Sequence, residues 1–354
     1  MKILVLEGDG IGPEITRATL QVLEALDVKF GLGLSYEYRD IGFKSLENED
    51  STFPVTVLEQ ARAADGVLLG PISHAIYPSR EQGGVNASAE LRIQLDLYAN
   101  VRPSRSRASL PHWGRTPMDL VIVRENTEGF YADRNMFMGN GEFMPTPDVA
   151  LAVRKVTAQN SRRVAERAFE IAVQRRRKVT AVHKANVLKV SEKLFLQEVR
   201  AVAAQYPDVE YDEQLVDSMA AILVRDAQRF DVVVTTNMFG DILSDEAAEL
   251  SGSLGLAGSI NVGDEHCMAQ AQHGSAPDIA GKAIANPSSL ILSAAMLLGW
   301  WGRREANRAF IEAAQLVEDE LDGLIGDSRQ RTTDLGGELG TFEFTDALCT
   351  SLQK

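Results

Sequence analysis

Two cysteines, Cys267 and Cys349, are all that the 354 residues contain. They make no disulfide framework and lack metal-ligand spacing, so both read as ordinary reduced thiols and zinc is not expected. Positive charge is also scarce: 36 Lys and Arg stand against 50 Asp and Glu, a formal net charge of -14. Nucleic-acid binding needs clustered Lys and Arg to neutralise phosphates, and this balance opposes it. The short basic run Arg175-Arg176-Arg177-Lys178 closes a helical stretch and reads as a complement to the carboxyl end of a helix dipole. No uncharged apolar run reaches bilayer-spanning length, and Met1-Lys2-Ile3-Leu4-Val5-Leu6 meets Glu7 too soon for a signal peptide. The expectation is a soluble cytoplasmic protein with no membrane or nucleic-acid partner.

What is present is the alternation of α/β proteins. The length exceeds that at which single cores usually split, which predicts two domains. Residues 2–7 read as a buried strand, 8–13 as a turn and 14–26 as an amphipathic helix. Strand-like runs at 67–69, 120–123, 179–182 and 232–236 accompany helical stretches at 160–177, 191–205 and 219–228. Residues 288–301 are apolar nearly all round, which predicts a buried helix. Between Asp133 and Pro147 the pattern changes: Met136, Phe137, Met138 and Phe143, Met144 flank Gly139-Asn140-Gly141, a turn signal between two β-like arms. A disordered loop is one reading. An arm that packs its apolar residues on a second subunit is the other.

Asp241 and Asp245 carry the most chemistry. A strand-like run at 231–236 delivers them to a helix start, and their spacing puts both carboxylates on one helix face. Oxygen ligands just beyond the carboxyl end of a strand suit a hard divalent cation, Mg²⁺ or Mn²⁺. By itself the pair also fits a solvated acidic turn. Arg92, Arg102 and Arg124 lie in settings unlike a helical surface; converging, their planar forks would select a polycarboxylate, and singly each fits a surface ion pair. Lys184, after a strand, suits a base and Tyr131 a proton donor, with His183 as a structural neighbour. Asp217 precedes a helix and reads either as its N-cap or as a third metal ligand. Gly8-Asp9-Gly10-Ile11-Gly12-Pro13 has Pro13 where the dinucleotide fingerprint needs glycine, so it is not a Rossmann turn.

The combination of Gly8-Asp9-Gly10-Ile11-Gly12-Pro13-Glu14, Arg124-Glu125-Asn126-Thr127-Glu128-Gly129, Lys184-Ala185-Asn186-Val187, Gly240-Asp241-Ile242-Leu243-Ser244-Asp245 and His273-Gly274-Ser275-Ala276-Pro277-Asp278-Ile279-Ala280-Gly281 resembles the β-decarboxylating dehydrogenases. That family holds the isocitrate, homoisocitrate, 3-isopropylmalate and tartrate or D-malate enzymes. The resemblance implies a two-domain α/β fold distinct from the Rossmann fold, with residues 1–99 and 254–354 as a discontinuous cofactor-binding domain and 100–253 as a dimerisation and catalytic domain. It makes the arm at about 133–147 a dimer clasp. It implies a homodimer with shared active sites, in which Tyr131, Asp241 and Asp245 meet the partner subunit's Lys184 and Asp217. Lys184 is then the base for the C2 hydroxyl, Tyr131 the proton donor after CO₂ leaves, and Asp217, Asp241 and Asp245 the ligands of Mg²⁺ or Mn²⁺. Arg92, Arg102 and Arg124 hold the carboxylates of a di- or tricarboxylate substrate.

The same resemblance places Asp278 at the adenosine ribose, which favours NAD⁺ over NADP⁺ because a carboxylate repels a 2′-phosphate. Ile11, His273, Gly274, Ser275, Ala276 and Asn286 complete that pocket. The chain departs from the family at Gln270-Ala271-Gln272, where members usually carry Glu-Pro-Val, and this bears on the nicotinamide side. Residues 85–91 lack the leucines of an isopropyl pocket, while Asn86 and Ser88 offer hydrogen bonds to a third carboxylate. The expectation is an NAD-dependent, metal-dependent oxidative decarboxylase of a 3-substituted malate, isocitrate or homoisocitrate before 3-isopropylmalate or tartrate/D-malate. A silent regulatory subunit of a heteromeric dehydrogenase and a plain metabolite-binding protein are the competing classes, and intact Tyr131, Lys184, Asp217, Asp241 and Asp245 argue against the first.

Overall fold

The structure is a computed structural model that describes residues 1–131 and 135–354. In chain order it contains β1 (Lys2–Leu6), α1 (Gly12–Phe30), β2 (Ser35–Tyr38), α2 (Gly42–Glu49), α3 (Val55–Ala63), β3 (Gly66–Leu69) and α4 (Ala87–Gln94). Next come β4 (Ala99–Arg105), β5 (Asp119–Glu125), β6 (Glu142–Thr146), β7 (Val149–Ala152), α5 (Ala158–Val173), β8 (Lys178–His183) and α6 (Ser191–Ala203). β9 (Glu210–Leu215), α7 (Val216–Asp226), β10 (Val232–Thr235) and α8 (Asn237–Ser251) follow. β11 (Ile260–Val262), β12 (Cys267–Gln270), α9 (Ser288–Arg304), α10 (Arg308–Gly326) and α11 (Thr341–Leu352) complete the set. The architecture is α/β, as the alternation of apolar runs and helical periods predicts.

The chain divides into two units, one comprising Met1–Leu97, Arg107–Pro111 and Gly252–Lys354, the other Tyr98–Ser106 and His112–Ser251. In the first, β1 lies between β2 and β3, β3 also pairs with β12, all in parallel, and β11 closes on β12 antiparallel. β1 is buried from Ile3 to Leu6, as expected of a parallel strand covered on both faces. Leu4, Leu6, Val67 and Leu69 join Val57, Leu91 and Met268 in one apolar core. α9 is buried around almost its whole circumference and packs on α10 and α1, so its all-round apolar sequence is matched by its surroundings.

In the second unit β5, β10, β8 and β9 run parallel, and β4 pairs antiparallel with β5 over its full length. Leu120, Ile122, Val182 and Val233 form its core with Met219, Leu223, Leu243 and Ala247 of the covering helices α7 and α8. The parallel strands point their carboxyl ends the same way, which brings the residues after β5, β8 and β10 to one edge of the sheet. The basic run after α5 does more than complement a helix end: Arg175 pairs with Asp119 and Asp231 at 2.7 and 2.8 Å, and the Arg176 amide donates to Asp231 at 2.8 Å, tying together the starts of β5 and β10.

The arm needs a correction. Its strands are β6 and β7, paired antiparallel across Pro147 and Asp148, so the turn is there and not at Gly139-Asn140-Gly141. Pro147 presets its own φ, and the Thr146 hydroxyl donates to Asp148 at 2.6 Å, so a Pro-Asp turn with its own side-chain bond outcompetes the glycine pair. Asp133 and Arg134, where the arm was expected to start, lie outside the described residues. Both strands are exposed throughout, including Phe143, Met144, Val149 and Leu151, and Phe137 ahead of them is fully exposed.

Candidate active site

Four parts of the second unit converge on one carboxylate. β5 carries Arg124 next to its last residue, with the side chain 2 % exposed; β4 carries Arg102; Tyr131 follows β5; Asp241 and Asp245 sit one turn apart on α8, which begins two residues after β10. Arg124 donates through Nη1 to Asp241 and through Nη2 to the Tyr131 hydroxyl at 2.5 Å. Tyr131 in turn donates to Asp241 Oδ2 at 3.0 Å. Arg102 reaches Asp245 at 3.2 Å, Asp241 at 3.4 Å and the Ser244 hydroxyl at 2.8 Å. Burial lowers the Arg102 pKa to about 10, and the neighbouring Arg124 charge pushes the same way. Two buried guanidiniums are held side by side because the two aspartates neutralise them.

Two further residues make this possible, and neither was singled out from the sequence. Asn237, the first residue of α8, accepts from Arg124 Nε and Nη2 at 2.9 and 2.7 Å and fixes the plane of the fork. Its amide nitrogen donates to the Glu128 carbonyl at 2.8 Å. Gly240 gives clearance: a Cβ there would lie 2.6 Å from Arg124 Cγ and 2.7 Å from its Cβ. An Asn at the first helical position and a Gly inside a helix are the signals that would have found them.

Glu125 and Glu128 back this site. Burial raises both carboxyl pKa values, that of Glu128 to about 7, with the Glu125 charge adding to the shift. Glu125 is compensated by the amides of Thr127 and Glu128, at 2.7 and 3.0 Å.

Lys184 and Asp217 form a separate pair. Lys184 follows β8 and its Nζ contacts Asp217 Oδ1 at 2.6 Å, which is the main reason the Asp217 pKa is lowered. Asp217 is not the N-cap of α7: the helix starts at Val216 with Leu215 as cap, and Asp217 lies in its first turn, where a carboxylate suits the helix dipole. His183 Nδ1 accepts from the Ala185 amide at 3.1 Å, and burial lowers its pKa. Glu192, at the start of α6, accepts from the Lys184 amide at 2.9 Å and forms a buried ion pair with Arg154. Arg154 also donates to Ser191 and Thr236 at 3.0 and 2.9 Å and lies over the rings of Phe130 and Phe239.

Among the described residues of one chain, no three His, Cys, Asp or Glu side chains gather as a metal site. Asp241 and Asp245 nonetheless offer hard oxygen donors on one helix face, 41 and 54 % exposed, and this donor chemistry fits Mg²⁺ or Mn²⁺ once a further ligand joins them.

In the first unit, Gly10 approaches the segment at 273–278. Its φ is +59, a Cβ would fall 2.0 Å from the Ser275 carbonyl, and the next amide, that of Ile11, donates to that carbonyl at 2.9 Å. The Ser275 hydroxyl meets Ser73 at 2.8 Å, and His273 Nδ1 lies 2.9 Å from the Gly274 carbonyl. His273 Nε2 is buried with no partner among the described residues, an orphaned polar atom that a polar cofactor group would satisfy. Ala276 adopts a φ of +36, Gly274 and Asp278 are exposed, and Asn286 donates to Asp334 at 3.0 Å. Asp9, which the sequence reading left out, accepts from the amides of Phe43 and Ser73 at 2.9 and 2.8 Å and from the Tyr77 hydroxyl, which anchors the glycine turn.

The proposed side-group residues occupy α4. Asn86 is its N-cap and accepts from the Ala89 amide at 3.0 Å, so its oxygen is already used within the helix. Ser88 and Arg92 lie one turn apart and both donate to Gln270 Oε1, at 2.9 and 3.2 Å. Asn86, Ser88 and Arg92 belong to the first unit and Arg102 and Arg124 to the second.

The chain is 43 % identical over 355 residues to an isocitrate/homoisocitrate dehydrogenase of Thermus thermophilus, covering 99 % of this chain and 98 % of that one. It is 40 % identical over 352 residues to a 3-isopropylmalate dehydrogenase of Archaeoglobus fulgidus, covering 99 % of each. The crystal structure of isocitrate dehydrogenase from Methylococcus capsulatus superposes with a TM-score of 0.88 at 38 % identity, over 100 % of this chain and 99 % of that one. A family model described as isocitrate/isopropylmalate dehydrogenase matches residues 2–348. The chain therefore belongs to the isocitrate/isopropylmalate dehydrogenase family of oxidoreductases and has its two-domain α/β fold.

Proposed function

We propose that the protein catalyses the NAD-dependent, divalent-metal-dependent oxidative decarboxylation of a 3-substituted (R)-malate, with isocitrate or homoisocitrate as the favoured acid. The observation that carries this is the meeting of Arg102, Arg124 and Tyr131 on Asp241. It puts carboxylate grips, a proton donor and cation ligands within one hydrogen-bonded group. Relatives named for 3-isopropylmalate and for homoisocitrate bracket the substrate class.

In this reading Arg102 and Arg124 turn from the aspartates to the malate carboxylates, and Arg92 takes a further one. A nicotinamide cofactor held at the Gly10 turn, His273 and Asp278 would supply a hydride acceptor, and a divalent cation held by Asp241 and Asp245 would supply positive charge to stabilise oxyanions. Lys184 takes the hydroxyl proton. The bond to the β-carboxylate breaks, CO₂ departs, and Tyr131 delivers a proton to the carbon that has lost it.

Lys184 and Asp217 serve the partner subunit's site in a homodimer, so that three aspartates complete the ligand set. Two features support that arrangement: among the described residues Asp217 does not gather with Asp241 and Asp245 as a metal site, and the hairpin of β6 and β7 leaves its apolar side chains exposed. His273, Asp278, Asn286 and the turn at Gly10 hold the adenosine side of NAD⁺, with Asp278 at the ribose. NADH formation on a panel of isocitrate, homoisocitrate, 3-isopropylmalate, tartrate and D-malate with Mg²⁺ tests the proposal; no turnover on any of them overturns it.

A further inference from the structure

Lys184 is the first residue beyond β8. The pairing of β8 with β10 ends at Val182 and that with β9 at His183, so the Lys184 amide takes its partner from outside the sheet. It donates to the carboxylate of Glu192, at 2.9 Å, in the first turn of α6. The Lys184 carbonyl accepts from the amides of Val187 and Leu188, at 3.0 and 2.9 Å. With both backbone groups held, the peptide planes on either side of the Cα are fixed, and with them the direction in which the side chain leaves the backbone.

Glu192 is fully buried, and a neutral acceptor would serve one amide at a smaller desolvation cost. What the carboxylate adds is a second oxygen. One takes the Lys184 amide and the other takes Arg154, whose remaining bonds reach the hydroxyls of Ser191 and Thr236. The backbone at Lys184 is thereby tied to the start of α6 and to the end of β10, and the amide receives a charge-assisted bond.

We propose that Glu192 is a positioning residue for Lys184: it fixes the backbone from which Lys184 reaches the hydroxyl proton of the acid. The inference rests on the functional reading above, in which Lys184 is the base and works in the partner subunit's site. A flexible four-carbon stem magnifies any turn of the backbone at its root, and proton transfer needs hydrogen-bond reach. Loss of Glu192 should therefore slow turnover and spare the grip on the acid, which that reading gives to Arg102 and Arg124.

The test separates this role from a merely structural one by using Arg154→Met/Glu192→Leu, which leaves no buried charge behind and also no acceptor for the Lys184 amide. NADH formation with Mg²⁺, on the acid that wild type turns over fastest, should show kcat lowered by about ten- to a hundredfold in this double variant, with KM for the acid and for NAD⁺ within about threefold. Glu192→Gln, which keeps an oxygen for the amide, should hold kcat within about fivefold of wild type. Coexpressed with Tyr131→Phe, the double variant should recover about one quarter of wild-type activity, because one site of the heterodimer then has a native Tyr131 and a correctly held Lys184. Coexpressed with Lys184→Ala it should recover none. A double variant with wild-type kcat, a loss mainly in KM, or recovery with Lys184→Ala each overturn the inference. If Lys184→Ala and Tyr131→Phe themselves fail to recover activity in proven heterodimers, the shared-site reading falls, and the split between kcat and KM decides the role of Glu192. A wild type that turns over none of the acids overturns the functional reading and this inference with it.

Discussion

Arg154 and Glu192 form an ion pair with both side chains withdrawn from solvent, 8 and 0 % exposed. One oxygen of Glu192 takes the arginine, and the other takes the backbone amide of Lys184. Removing one partner leaves an uncompensated buried charge, so Glu192→Ala and Arg154→Ala should each cost about 3–5 kcal/mol of stability. The double variant Arg154→Met/Glu192→Leu should cost clearly less than their sum, because it leaves neither charge behind. Urea unfolding of the three variants measures this, and additive losses would rule it out. Glu192→Gln keeps an acceptor for the Lys184 amide and should be the mildest single change.

The aspartates proposed for the cation are, in this chain, counter-ions of the arginines proposed for the acid. Arg102→Gln should therefore have opposite effects on the two ligands. Mn²⁺ affinity should rise about fivefold, a modest figure because Asp241 and Asp245 are half exposed and screened, while KM for the acid should rise by tenfold or more. Asp245→Asn should weaken Mn²⁺ and leave NAD⁺ affinity unchanged, since the residues proposed for the cofactor belong to the other unit. Titration calorimetry reads both constants.

Glu128 gives the fold a pH dependence of defined sign. Its pKa is raised from 4.5 to about 7, mainly by burial and then by Glu125. Between those values the native state keeps a proton that the unfolded chain has lost, so stability falls as pH rises through this window and levels off above it. The full excursion is on the order of 3 kcal/mol. Glu128→Gln should flatten the curve across that range, which denaturant melts at pH 4.5, 6 and 7.5 would show; a slope unchanged by the substitution would reject the assignment.

A shared site predicts complementation. Lys184→Ala and Tyr131→Phe chains should each be inactive alone, whereas a heterodimer with shared sites would have one site with both native residues. Coexpressed and mixed at random, they should recover about one quarter of wild-type activity. No recovery in a population proven to contain heterodimers would mean that each chain builds its site alone.

Much of this was legible in the sequence where the signal is local. The spacing of Asp241 and Asp245 on one helix face, the strand before them, the all-round apolar α9 and a helix after the first glycine turn, expected over 14–26 and found at Gly12–Phe30, are all present. What failed to show were outcomes of competition or of tertiary placement. Gly139-Asn140-Gly141 and Pro147-Asp148 are both turn signals, and only the pairing of β6 with β7 selects the second. Asp217 looked like a cap because nothing in the sequence says that α7 begins at Val216. Asn86 is committed to capping α4, which leaves Ser88 and Arg92 as the side chains joined to Gln270. The change at position 270 was visible as a departure, but its contact with Ser88 and Arg92 required knowing that α4 lies against the end of β12.

Gly240 bears on how tolerant this helix is of change. Glycine in a helix interior costs about 1 kcal/mol relative to alanine, so Gly240→Ala would stabilise α8 if only the helix mattered. Here the added methyl would strike the stem of Arg124 and drive its guanidinium off Asn237 and Asp241. A scan of α8 that scored folding alone would mark position 240 as open to improvement, whereas a scan that scored ligand binding would mark it as closed.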